Sequence, residues 1–277
     1  MQTHAHRIIR VLEKVTASGT GQSQIFDDFL EIASDCLTRL PKHAASARLR
    51  GQPSQDPPEM MARWDRLHSR YKNETYYLDL FAQAFALLIE SAHGDWNDTI
   101  GEVYMEFGHP SKWGGQFFTP FHLAEMMAKV TTDDLPNLVH QRIKDACQGD
   151  PLAEAILLAG VGLEGEEAEA WYFNKLIPTV AYKVEPVKIH DPCCGSGVMF
   201  LAAASQLPRW MLDWNFVRFY GQDIDQTCVQ MARINLMLHG LNGYAVQCAA
   251  ALMGIEKPIE VTRELLSLRV GEVLYEA

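Results

Sequence analysis

Asp191 and Asp223 are the two side chains in this sequence best placed to hold a polar ligand. Each closes a short run that reads as a strand. Val187 and Ile189 alternate with polar neighbours before the first, and residues 216–222 precede the second. After Asp191 the chain continues Pro192-Cys193-Cys194-Gly195-Ser196-Gly197. Pro192 has no N–H to give a ladder, so the strand stops there. Gly195 and Gly197 permit positive φ and leave no Cβ in the way of a ligand. Val198 to Ala204 then reads as a helix that Pro208 stops. A strand, a glycine turn and a helix start aim backbone N–H groups and a positive helix end at something polar or anionic. Two acids at successive strand ends suit a ligand with a ribose and an amino group. Asp223 would take the ribose hydroxyls, and Asp191 with the backbone of Gly195 and Gly197 would hold the amino-acid portion. The turn is not G-x-G-x-x-G, so a pyrophosphate dinucleotide is the weaker choice. The competing reading is an α/β domain that merely uses glycines at its turns.

Strand, glycine turn, helix, strand, acid, helix and strand in succession make the first half of a doubly wound parallel sheet. Asp225 is placed to cap a helix over 226–238, closed by His239-Gly240, and a third strand is expected at 244–248. Residues 253–277 read as one helix and a last strand at 270–275. Upstream, residues 1 to about 110 look all-helical. Ile8 to Leu12 opens a short amphipathic helix, which residues 17–21 break. Ile25, Phe26, Phe29, Leu30, Ile32 and Ala33 fall at helical spacing, and Pro41 should end that helix. A polar linker at 53–58 leads to a helical pattern over 60–92, one helix or two. Tyr76, Tyr77, Leu80, Phe81, Phe85 and Leu88 are expected on its packing side. A short helix at 98–107 follows. In Gly114-Gly115-Gln116-Phe117-Phe118-Thr119-Pro120, Thr119 is a good N-cap and Pro120 suits a first helical position. Further helices are expected at 135–147, 152–158 and 166–176, with the acidic run Glu164, Glu166, Glu167 and Glu169 on a solvated face. The expected division is a helical N-terminal domain over 1–110 and a ligand-binding domain over 111–277 with a helical insertion at about 133–176.

The 277 residues are 48% hydrophobic and 21% charged, the balance of an ordinary globular protein. No apolar run approaches the ~20 residues of a membrane span. No signal-peptide core follows the N-terminus, so the expected location is the cytoplasm. The six cysteines form no CxxC pair and no Cys/His cluster at zinc spacing, so no metal site is expected. A formal net charge of −11 opposes strong non-specific DNA binding. A nucleic-acid role would need a local basic groove or a partner subunit.

Asp191-Pro192-Cys193-Cys194-Gly195-Ser196-Gly197 resembles the S-adenosylmethionine motif of the N6-adenine DNA methyltransferases, in particular the modification subunit of type I restriction systems. Gly115-Gln116-Phe117-Phe118-Thr119-Pro120 resembles that family's upstream motif. Gly221-Gln222-Asp223-Ile224-Asp225, continued by residues 231–241, resembles its second-strand block, and Asp98, Gly101 and Tyr104 resemble the helix before the upstream motif. The resemblance implies an S-adenosylmethionine-dependent, Rossmann-like methyltransferase sheet, an α/β fold, behind an all-helical N-terminal domain. It implies that Gln116, Phe117, Thr119 and Pro120 contact the methionine end. Asp191, Cys193, Gly195 and Gly197 would bind its amino and carboxylate groups, Asp223 the ribose, and Ile224 the adenine ring. The implied partners are DNA and a specificity or restriction subunit, with self-association left open.

The sequence also departs from that family. The reaction needs an (Asn/Asp/Ser)-Pro-Pro-(Tyr/Phe/Trp) tetrapeptide, because the adenine N6 lone pair is delocalised into the ring. A side-chain acceptor and a proline carbonyl must take the amino hydrogens while an aromatic ring stacks on the flipped base. Pro57-Pro58, between Asp56 and Glu59, is the sole Pro-Pro here and reads as linker. Ala249-Ala250 stands where the family carries a Gly-Asp pair, and the sheet is expected to be incomplete in its C-terminal half. No catalytic residue is therefore assigned. The expected protein binds S-adenosylmethionine, does not methylate alone, and serves as an accessory or regulatory DNA-modification protein. The alternatives are the front portion of an active adenine methyltransferase completed by another chain or segment, and an interaction module with an empty pocket.

Overall fold

The computed structural model describes residues 3–72, 74–94, 96–108 and 118–248. Thr3 caps α1 (His4–Val15), its hydroxyl accepting the His6 N–H, and Ala5, Ile8, Leu12 and Val15 bury one face. A 3-10 turn at Thr16–Ser18 separates it from α2 (Gln22–Arg50). Pro41 does not end α2. Its missing N–H removes one helical bond, opposite the carbonyl of Leu37. Bonds from Arg39 reach across that point. Its Nε donates to His43 Nε2 (3.0 Å), its Nη2 donates to the Gln55 carbonyl (3.2 Å), and it pairs with Asp56. The helix therefore continues to Gly51, whose φ of +72° ends it.

The 60–92 pattern resolves into α3 (Pro58–Arg70) and α4 (Thr75–Ala92). Asp28 of α2 is buried and accepts from Arg70 and from the Tyr71 hydroxyl (2.7 Å), which fixes α3 against α2. Tyr77, Leu80, Phe81, Ala84 and Leu88 bury one stripe of α4. Tyr76 stands 55% exposed, outside that stripe rather than in it, because it lies one residue and about 100° from Tyr77. Then come α5 (Thr99–Val103), a π turn at Tyr104–Gly108, and α6 (Phe121–Thr132). Pro120 is the N-cap of α6, in an extended conformation (ψ 139°), so the helix starts one residue later than Thr119 would have set it. The chain continues through α7 (Leu135–Cys147), α8 (Pro151–Ala159), α9 (Gly165–Trp171), a π turn at Tyr172–Leu176 and α10 (Ile177–Val180).

The last described part is β1 (Val187–Asp191), α11 (Val198–Ser205), α12 (Arg209–Asp213), β2 (Val217–Asp223), α13 (Gln226–Leu238) and β3 (Gly243–Gln247). The three strands form a parallel sheet in the order β1-β2-β3. Asp191 is level with Gly221 and Ala245, and Asp223 is level with Gln247. Both acids thus lie at the carboxyl edge. Val187, Val217, Phe219 and Ala245 join Phe200, Val229, Ala232 and Leu236 in one apolar core. Phe26, Phe29, Leu80 and Phe81 belong to a second, which also takes in Cys228, Met231, Ile234 and Leu238. α13 therefore gives one stripe to each core, as its nearly uniform burial requires. Among the described residues no helix is long and apolar enough to cross a membrane. The expected strand at 270–275 and Ala249-Ala250 lie outside the described residues.

Candidate cofactor-binding site

The turn after β1 is built largely from backbone bonds. Asp191 Oδ1 accepts the Cys193 N–H (3.0 Å), which bends the chain straight after the strand. The Cys194 N–H donates to the Gln222 carbonyl (2.8 Å), carrying the β1–β2 pairing past Asp191, and the Gly197 N–H donates to the Cys194 carbonyl (2.7 Å). Gly195 and Gly197 take φ of +52° and +86°, the left-handed region expected of them. A Cβ on Gly195 would lie 3.2 Å from the Phe118 ring, and one on Gly197 would lie 3.3 Å from the Ala232 Cα. The turn is thus pressed between Phe118 and α13.

Asp223 fixes the turn to β2. Its Oδ2 accepts the Gly195 N–H (2.9 Å) and its Oδ1 accepts the Asp225 N–H (3.0 Å). Each oxygen retains a lone pair for a further donor. Asp225 caps α13 through the Thr227 N–H (2.8 Å), as expected. Ile224, between these two acids, is 76% exposed, and its carbonyl accepts from the Gln247 side chain (2.9 Å) at the end of β3. An apolar side chain raised from the carboxyl edge of a sheet is an available platform for a flat ring.

Thr119, Asp191 and Cys193 line one cavity of about 570 Å³, together with Met127 and Thr131 of α6 and Met199 of α11. Asp223 and Ile224 are not among its lining residues. The candidate residues form two groups: Thr119, Asp191 and Cys193 at the cavity, and Gly195, Asp223 and Ile224 beyond the turn. Pro120 is exposed at the start of α6. Gln116 and Phe117 lie outside the described residues.

The sequence reading names Asp98, Gly101 and Tyr104 only through a resemblance and gives them no role at the turn. Asp98 is buried. Its Oδ1 accepts from the Gly101 N–H (3.1 Å) and from Asn235 Nδ2 (2.9 Å), and its Oδ2 accepts from the Ser196 hydroxyl. Asn235 also donates to the Ser196 carbonyl (2.8 Å). A Cβ on Gly101 would fall 2.1 Å from the Asp98 carboxylate, so that position must be glycine for the acid to lie as it does. Tyr104 stacks on Phe118, centroids 5.5 Å apart, and Phe118 in turn covers Gly195. A polar Asn235 set directly between Ile234 and Leu236 was the available signal.

The surroundings of the turn are acidic. Burial, then the charges of Asp225, Asp27 and Asp223, push the Tyr104 hydroxyl up to about 12. Burial, with the charges of Asp223 and Asp191, pushes the Cys194 thiol up to about 12. Burial raises the Asp98 carboxyl, against the lowering by its Ser196, Asn235 and Gly101 donors. A field of this sign favours a cationic ligand.

Residues 172–256, which contain β1, the turn, β2, α13 and β3, match the family model described as N-6 DNA methylase. The chain resembles the N6-adenine DNA methyltransferases. A stretch of 84 residues is 33% identical to the type I restriction enzyme MjaIX methylase subunit of Methanocaldococcus jannaschii. That stretch is 29% of this chain and only 15% of the methylase subunit, so the likeness to the modification subunit covers a small part of that protein. The N-6 DNA methylase match takes in Asp191, Gly195, Asp223 and Ile224 and leaves Asp98 and Thr119 outside it.

Proposed function

We propose that this chain is an N6-adenine DNA methyltransferase-like protein that binds S-adenosylmethionine on a Rossmann-like sheet and serves DNA modification as an accessory or regulatory subunit. The observation that carries this reading is the hydrogen bond from Gly195 to Asp223. It joins a glycine turn at the end of one parallel strand to an acid at the end of the next, inside the segment that matches the N-6 DNA methylase family. The residues fit the cofactor. Gly195 and Gly197 give the turn its positive φ, Ile224 offers an exposed apolar surface for adenine, and Asp223 keeps lone pairs for ribose hydroxyls. Asp191 and the other acids around the turn suit a ligand that carries an ammonium and a sulfonium. Thr119, Pro120 and Cys193, with Gln116 and Phe117, would border the methionine end.

Bound S-adenosylmethionine supplies an electrophilic methyl group on sulfur. These residues bind and orient it. No acceptor for the adenine amino hydrogens is assigned among them, and the 277 residues contain no tetrapeptide of the required type. Transfer to adenine would need that group from elsewhere. The net charge of −11 likewise leaves a DNA grip to a basic partner, such as a specificity or restriction subunit.

A second reading has its own support. Val130 is 80% exposed and Met126 61% exposed on α6, whose Met127 lines the cavity. Such a surface fits completion of an active enzyme by another polypeptide.

Equilibrium dialysis against methyl-tritiated S-adenosylmethionine, with and without unmodified DNA, tests the proposal. The chain should retain label and pass none to DNA. No retention at high ligand concentration contradicts cofactor binding, and labelled DNA contradicts the accessory role.

A further inference from the structure

We propose that Asp98 is a positioning residue for the cofactor turn: its carboxylate, anchored in α5 of the helical region, sets the conformation of Gly195-Ser196-Gly197 through the Ser196 hydroxyl and Asn235. This rests on the S-adenosylmethionine reading of that turn. The simpler role for Asp98 is to cap α5, and the Gly101 N–H alone would satisfy it. A cap can sit at the surface. This carboxylate is buried and takes two further donors, one from the turn 98 positions along the chain and one from α13, 137 positions along.

The two bonds converge on one residue. Ser196 lies between two glycines in the left-handed region, where the backbone is held least by its own side chains. Its hydroxyl donates to Asp98, and its carbonyl accepts from the Asn235 amide that also donates to Asp98. The Ser196–Gly197 peptide plane is thereby held and the Ser196 side chain is tied to the helical region, at the centre of the turn. The donors to Asp98 are neutral groups, and a buried acceptor that loses one of them does not find a replacement locally. Tyr104, six residues on, holds Phe118 over Gly195 and supports the turn from its other side. The helical region is thus part of the cofactor site rather than a neighbour of it.

The test uses the full chain with Ser196→Ala, Asp98→Asn and the double variant, titrated with S-adenosylmethionine by calorimetry, alongside hydrogen exchange of the ligand-free proteins. Ser196→Ala leaves the α5 cap untouched. Each single variant should weaken binding by about tenfold, the scale of one buried hydrogen bond. The double should bind about as weakly as either single, because both changes break one device. Without ligand, Ser196→Ala should speed exchange in residues 193–197 and leave β1 and β2 unchanged, a pattern general destabilisation would not give. Wild-type affinity in Ser196→Ala overturns the proposal, as does a double variant weakened by about a hundredfold. Should Asp98→Asn fail to fold, Ser196→Ala decides alone. A wild-type chain that gives no heat overturns the S-adenosylmethionine reading and this proposal with it. Wild-type binding unchanged by Ser196→Ala overturns this proposal only.

Discussion

Cys193 and Cys194 are adjacent and have opposite surroundings. Cys193 is exposed at the cavity, while Cys194 is buried against Gly221, where a Cβ would come within 2.8 Å of its sulfur. Only a thiolate attacks an alkylating agent, and burial has pushed the Cys194 thiol up to about 12. Iodoacetamide at pH 8 should therefore modify Cys193 in the native protein and spare Cys194, with both modified after unfolding in urea. Peptide mass spectrometry reads the outcome, and modification of Cys194 in the native state would contradict the packing of the turn. At this scale the sequence discloses residues whose partners are close in the chain. Asp191 bonds two residues on, and Asp225 likewise, so a reader of the sequence finds both. Asp98 was legible only as part of a resemblance, because its partners Ser196 and Asn235 meet it through the tertiary fold.

Elements were read well where apolar periodicity is strong and caps are local. The helix over 226–238 has the bounds its Asp225 cap and His239-Gly240 stop imply, and β1 ends at Asp191, before Pro192. Two boundaries went differently for a shared reason. Proline and threonine have local preferences that neighbouring contacts can outweigh. Thr119 yields the cap position to Pro120, and Pro41 lies inside α2 because the Arg39 bonds to His43, Gln55 and Asp56 hold the helix across it. Pro41→Ala should restore the bond to the Leu37 carbonyl and stabilise the chain by about 1–3 kcal/mol in urea denaturation. A loss of stability would mean that the chain needs a break at that position.

For the whole molecule, the feature with most consequence is the double use of α13. Val229, Ala232 and Leu236 pack into the core under the sheet, while Cys228, Met231, Ile234 and Leu238 pack among the N-terminal helices. The sequence marks α13 as a capped helix, but a 3.6-residue period cannot say that two different partners share its surface. Because Asp223 and Asp225 precede α13 directly, the carboxyl edge of the sheet is tied to both cores. A doubly wound sheet with acids at the carboxyl ends of its strands was expected from the strand–turn–helix succession; the β1-β2-β3 order and the grip of the helical region on the glycine turn were not. The central claim is that this edge binds S-adenosylmethionine. Calorimetric titration of the wild-type chain and of Asp223→Ala tests it most directly. The wild type should give a saturable one-to-one isotherm, and Asp223→Ala, which loses the ribose acceptor and the Gly195 anchor together, should bind at least about tenfold more weakly. No heat from the wild type, or equal affinity in the variant, would contradict the account.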